Sequence, residues 1–192
     1  MLLGKGFKDV INVAGGIKAW DDHLAVGPEE MGLELLTGKE SIEETLVAAY
    51  SLEAGLRDFY LTMIEKIRQD DIKHLFQKLA AIESVHQDRI FNEYLLVSQK
   101  QISREAFDND LVIAAVEGGL TTDEYIRMFK PDWESAVDII SLAMSIEAQA
   151  LDLYTRAAAR NEDPRSAAVL KKIAEEERAH LVQLGNLMDE RM

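Results

Sequence analysis

This sequence predicts an all-α fold, a four-helix bundle with one long connection between its second and third helices. Three observations predict it. From Ser41 onward the apolar residues recur with the period of a helix. Proline occurs only three times and β-branched runs are few. A ten-residue phrase occurs twice: SLEAGLRDFY at 51–60 returns as SIEAQALDLY at 145–154, 94 positions on. Four long amphipathic helices around one long middle connection fit a bundle with a crossover.

The elements follow in order. Residues 1–38 differ from the rest: DVINV is a short β-type run, GG breaks the chain before IKAW, and GPEEMG reads as a linker. They form a short strand-and-helix extension, and residues 39–192 form the bundle. SIEE at 41–44 is a capping box, in which Ser41 accepts from the backbone three residues on and Glu44 reaches back. It starts a first helix over about 41–68. A second starts near DDIKHL and runs to about 99. Proline and aspartate in KPDWES start a third, near 132 to 160. Asp163 caps a fourth, with Pro164 at its first position. Thr121 and Glu124 suggest a short helix inside the connection.

Composition narrows the function. The formal charge is -14, and a broad acidic surface repels phosphate backbones, which argues against a nucleic-acid partner. No apolar run approaches the roughly 20 residues of a membrane span, and no signal peptide is visible. A cytoplasmic location is the default expectation. Cysteine is absent, which removes disulfides, thiolate zinc sites, rubredoxin-type iron and iron–sulfur clusters from this chain.

The repeat carries the chemistry. The same offset lays LFQKLAAIESVH (75–86) on VLKKIAEEERAH (169–180). Each half therefore holds a helix with one glutamate, Glu53 or Glu147, followed by a helix with Glu-x-x-His: Glu83 and His86, or Glu177 and His180. Residues i and i+3 lie about 60° apart on a helix, so each Glu-x-x-His pair can reach one point. Each glutamate interrupts an apolar stripe, with Leu46, Ala49 and Leu56 around Glu53 and Ile140, Ala143 and Leu151 around Glu147. Four carboxylates buried together repel one another and lose their hydration, so they need positive charge. Two divalent cations balance four carboxylates, and two neutral imidazoles complete the set. Carboxylate and imidazole suit iron or manganese.

One glutamate per helix and Glu-x-x-His on its partner, stated twice, resembles the ferritin-like di-iron carboxylate proteins, and within them the rubrerythrin branch. The resemblance covers about residues 40 to 190. It implies an antiparallel ferritin-like bundle holding two iron ions, with manganese or a mixed pair as alternatives. Glu53 and Glu147 would be terminal ligands, Glu83 and Glu177 bridging ones, and His86 and His180 one ligand for each metal. It implies an oxidoreductase that reacts with hydrogen peroxide or dioxygen. Two departures stand beside it. Rubrerythrins carry a further glutamate three residues after the third-helix ligand, where this chain has Ala150. They typically carry a cysteine-rich rubredoxin domain, which these residues lack, so the electron donor is expected to be a separate molecule. Iron binding with ferroxidase activity, or a metal-stabilised bundle that binds a partner, are the competing functions.

Tyr60 and Tyr154 lie seven residues after Glu53 and Glu147, two turns along the same face, and are expected to donate hydrogen bonds to the carboxylates or to act as redox-active phenols. Asp58 and Asp152 are repeated too, but sit some 140° away from the ligand face and belong to the surface or an interface. His23 and His74 have no matching partner and are ordinary. Glu93 lies on the ligand face, but its counterpart is Leu187, so it is left out of the ligand set.

At the front, GKGFKDVINVAGGIKAW (4–20) resembles the last part of a rhodanese domain. Such domains carry their catalytic cysteine upstream of this segment, so sulfurtransferase activity is not expected here; the stretch reads as a truncated fusion or a fragment of a longer gene product, and it hints at sulfur metabolism in that parent protein. A lone strand bearing Phe7, Val10, Ile11 and Val13 cannot make its own core. It is expected to pack on the bundle or on another chain, and the protein is expected to be a homodimer.

Overall fold

The computed structural model describes residues 36–110 and 122–191. Among them every regular element is a helix: α1 (Ile42–Lys66), α2 (Asp70–Ser98), α3 (Arg104–Asp110), α4 (Thr122–Phe129), α5 (Ala136–Arg160) and α6 (Pro164–Asp189). The rhodanese-like stretch and its strand lie outside the described residues, as do His23 and Thr121.

Two expected caps are in place, at the starts of α1 and α6. Ser41 Oγ accepts from Glu44 N at 3.3 Å, and Glu44 Oε2 accepts from Ser41 N at 2.8 Å, completing the capping box. Asp163 Oδ1 accepts from Arg165 N at 3.1 Å, with Pro164 at the first position, where its missing N–H is harmless. The start of α5 corrects the expectation. Asp132 and Pro131 do not open the helix: Asp132 closes a turn, its carbonyl accepting from Ser135 N at 2.9 Å. Ser135 is the cap, accepting from Asp138 N at 3.2 Å. A further element, α3, interrupts the crossover where no helix was expected.

Cross-helix contacts fix the arrangement. α1 and α2 run antiparallel, since Lys100 reaches Glu43 at one end and Arg57 donates to Ser84 nearer the other. α2 and α6 are antiparallel neighbours through Arg89–Glu176 and Asp71–Arg191. α1 and α5 are antiparallel neighbours through the pairs Tyr60–Glu147 and Tyr154–Glu53. The two described helices of the crossover lie at opposite ends of the bundle. α3 packs Phe107 against Tyr50, Phe91 and Tyr94. α4 lays Ile126 and Phe129 on the apolar cluster at the opposite end.

That core is in two parts. One cluster gathers Leu46, Ala49, Leu153, Leu170 and Ile173 with α3. The other gathers Phe59, Met63, Phe76, Leu79, Ile140 and Leu184. In sequence the carboxylate-bearing turns of all four long helices fall between them. Burial of this apolar surface, worth roughly 25 cal/mol per Å2, must offset the polar layer in its middle.

Candidate metal centre

The side chains of Glu53, Glu83, Glu147 and Glu177 are completely buried, and His86 and His180 keep only 8% and 2% of their surface. Each comes from a different turn, but the bundle brings them to one place. Three overlapping groups have ligand atoms within 4.8 Å of one another: Glu53, Glu83, His86 and Glu177; Glu83, His86 and His180; and Glu147, Glu177 and His180. Glu53 keeps company with His86 and Glu147 with His180. Glu83 and Glu177 belong to both sides. All six residues singled out by the repeat are therefore together.

The histidines present Nδ1 inward. His86 Nδ1 lies 3.1 Å from both Glu53 Oε2 and Glu83 Oε2. His180 Nδ1 lies 3.2 Å from Glu83 Oε1 and 3.3 Å from Glu147 Oε1. The two rings stack at 5.5 Å with 12° between their planes. Which ring nitrogen points inward was not legible from the sequence.

Electrostatics report a site short of positive charge. Burial pushes the Glu177 carboxyl well above its ordinary value, and the charges of Glu147 and Glu53 push it the same way. Burial acts on Glu53 too, but hydrogen bonds from His86 and Glu83 and the histidine charges outweigh it and hold that group low. Glu147 is held low likewise, against its burial, by Glu177, His180 and Tyr60. Burial would lower His180, yet Glu147 and Glu53 raise it. Without a cation, both shifts run toward holding a proton on Glu177 and on His180.

The residues fit a metal. Both oxygens of Glu177, Glu147 Oε2 and His180 Nδ1 are buried with no well-aligned hydrogen-bond partner. Buried polar atoms are ordinarily satisfied, and the three residues that carry these four bring ligand atoms within 4.8 Å of one another. A cation there would supply a partner, and the donor set of carboxylate and imidazole is that of iron or manganese.

The tyrosines exchange partners across the bundle. Tyr60 on α1 donates to Glu147 on α5, and Tyr154 on α5 donates to Glu53 on α1 at 3.3 Å. Each phenol serves the glutamate of the other half, not that of its own helix. Asp58 and Asp152 are exposed and pair with Arg57 and Arg156. His74 is exposed. Glu93 lines a surface groove with Val97, Arg165 and Lys172 and takes no part in the cluster. Ala150 is fully buried and offers no carboxylate.

Sequence reasoning missed one polar network beside the cluster. Gln87 Nε2 donates to the backbone carbonyl of Glu53 at 3.3 Å, and Arg104 reaches Gln87 Oε1 at 3.4 Å and Asp88 Oδ1 at 2.7 Å. Gln87 and Asp88 have no polar counterpart in the repeat, where Leu181 and Val182 stand. The repeat therefore gave no signal for them.

No curated protein matches the chain. A solved structure, a hypothetical protein from Pyrococcus furiosus, is similar over 78% of this chain and 89% of its own, with a TM-score of 0.53 and 21% identity, which speaks for the fold alone. The family model described as Rubrerythrin matches residues 44–188, which include all four long helices' ligand positions. The chain belongs to the rubrerythrin family.

Proposed function

We propose that this protein is a non-haem di-iron oxidoreductase that reduces hydrogen peroxide or dioxygen with electrons from a separate donor. The observation that carries the reading is the shared position of Glu83 and Glu177, each within ligand distance of groups on both sides of the cluster. Two cations on either side of such a pair would be bridged by it, leaving Glu53 and His86 for one and Glu147 and His180 for the other. Iron bound there would supply the electrons that cleave an O–O bond.

The protein's own part is to hold and insulate. Tyr60 and Tyr154 fix the two terminal carboxylates by donating to them. The apolar clusters on either side keep bulk water away, which strengthens every charge interaction inside. His86 is the most exposed of the six, so its edge is the side from which a small oxidant would enter. Cysteine is absent from these 192 residues, so they hold no rubredoxin-type or iron–sulfur donor, and the reading assigns the electrons to a separate molecule. A homodimer remains part of the proposal, and a monomer mass in light scattering at micromolar concentration would remove it. Anaerobic protein loaded with ferrous iron should develop a diferric absorption band within seconds of mixing with peroxide or dioxygen. Oxidation no faster than that of free ferrous iron would leave a metal-holding bundle and remove the oxidoreductase.

A further inference from the structure

A third phenol, Tyr50 on α1, lies close to the cluster, and the crossover helix α3 gives it surroundings unlike those of Tyr60 and Tyr154. Tyr50 lies three residues before Glu53 on α1, so the two are neighbours one turn apart, with Cβ atoms about 5–6 Å from each other. Its ring is buried, keeping 2% of its surface. Its hydroxyl donates to Asp108 Oδ1 at 2.5 Å and accepts from Arg104 Nε at 2.5 Å. The Arg104 guanidinium also lies over the ring, 4.7 Å from its centroid. The Asp108 side chain is 47% exposed, so a proton placed on it exchanges with water.

We propose that Tyr50 is a redox-active phenol that supplies one electron to the metal centre while Asp108 takes its proton. This rests on the oxidoreductase reading. A buried phenol resists losing an electron alone, because the cation left behind has no solvent. It also resists losing a proton alone: burial, and then the hydrogen bond to Asp108, push its pKa up to about 12. Losing both together avoids each charged state, and a carboxylate at 2.5 Å is placed to receive the proton. Arg104 stays hydrogen-bonded to the phenol oxygen before and after.

The step balances when peroxide meets a centre holding only one reducing equivalent. Peroxide takes two electrons and two solvent protons, its O–O bond breaks, and two waters leave. One electron comes from the centre and one from Tyr50, whose O–H bond breaks as its proton passes to Asp108. A neutral phenoxyl and a neutral carboxylic acid remain. One electron from the external donor, with the proton returned by Asp108, restores the phenol. Phe107 stands edge-on to Tyr50 at 4.8 Å and to Tyr94 at 4.9 Å, and the Tyr94 hydroxyl accepts from exposed Lys100 at 3.2 Å. This aromatic file leads from Tyr50 toward the surface, where a donor can dock. The bundle itself does not demand a phenol here, since the repeat puts Met144 at the corresponding position.

The test uses iron-loaded full-length protein in two states. A fully reduced sample mixed with peroxide should give the diferric band. A sample first oxidised by one electron per centre, then mixed with peroxide and freeze-quenched, should give the electron-spin signal of a neutral tyrosyl radical. Tyr50→Phe should lose that signal and keep the band. Asp108→Asn, at the surface, keeps the phenol and should lose most of the radical yield and its slowing in heavy water. A band without a radical, or a radical that survives Tyr50→Phe, overturns the role of Tyr50 and leaves the oxidoreductase standing. Loss of both band and radical overturns both.

Discussion

Tyr154 on α5 donates its phenolic hydrogen to Glu53 on α1 at 3.3 Å, linking a residue of one half of the repeat to a buried carboxylate of the other. Such partners orient a metal ligand, and losing one typically lowers affinity by about 10–100-fold. At 3.3 Å this bond is long, so Tyr154→Phe should fall at the lower end, about tenfold. Metal competition against a chromophoric chelator would measure it. Tyr60→Phe, on the opposite diagonal, should weaken binding at least as much, because Glu147 Oε2 already lacks a partner.

Glu83 is shared by both sides of the cluster and Glu53 belongs to one. Their removal should therefore differ in kind. Elemental analysis of protein grown with iron and never exposed to chelator should give about two metals per chain. Glu83→Ala should lose both together, whereas Glu53→Ala should keep a measurable fraction of one. Equal losses in the two variants would show that Glu83 does not bridge.

The stability of the metal-free protein should depend on pH through the buried cluster. The Glu177 carboxyl is raised well above 4.5 by burial and by the charges of Glu147 and Glu53. His180 is raised above 6.5 by Glu147 and Glu53 against the effect of its burial. A folded state that holds more protons than the unfolded one is stabilised at low pH and loses that stability as pH rises. Glu177 contributes its loss from above about 4.5 upward and His180 from above about 6.5. Glu53 and Glu147 act the other way, contributing stability that is lost as pH falls through their lowered values. Chelated protein should thus melt at lower temperature as pH is raised past neutral. Metal binding must displace the retained protons, so affinity should rise over the same range. Calorimetry in buffers of different ionisation enthalpy would count the protons released.

The internal repeat made the centre legible. Copied positions in a bundle face the same axis, so six residues could be named without a contact in view. The exchange of Tyr60 and Tyr154 between halves was not legible, because the spacing of seven shows a shared face and not which neighbour crosses it. α3 was missed for a related reason. Seven residues make too short a helix for periodicity to show, and its role depends on Phe107 meeting Tyr50, 57 positions earlier. The start of α5 was misplaced because proline and aspartate are turn residues as readily as cap residues. Here they build the turn that delivers Ser135 to the helix end.

Gly38 tests how firmly the segment before α1 is held. Its φ of +95° lies where side chains are strained, and an added Cβ would sit 2.7 Å from the carbonyl oxygen of Arg160. The neighbour in question is backbone at the end of α5 and cannot swing away. Gly38 O also accepts from Glu162 N at 3.1 Å, so this close approach ties the start of the bundle to the α5–α6 turn. Leu36, fully buried in the cluster that includes Leu170 and Ile173, lies just before it. Gly38→Ala should therefore break both the approach and the seat of Leu36. Strained backbone of this kind is worth about 1–3 kcal/mol, and urea unfolding should show a loss of that size in metal-loaded and chelated protein alike. An unchanged midpoint would mean that the segment does not stay on the α5–α6 turn in solution. A loss confined to the metal-loaded form would instead couple the turn to the centre.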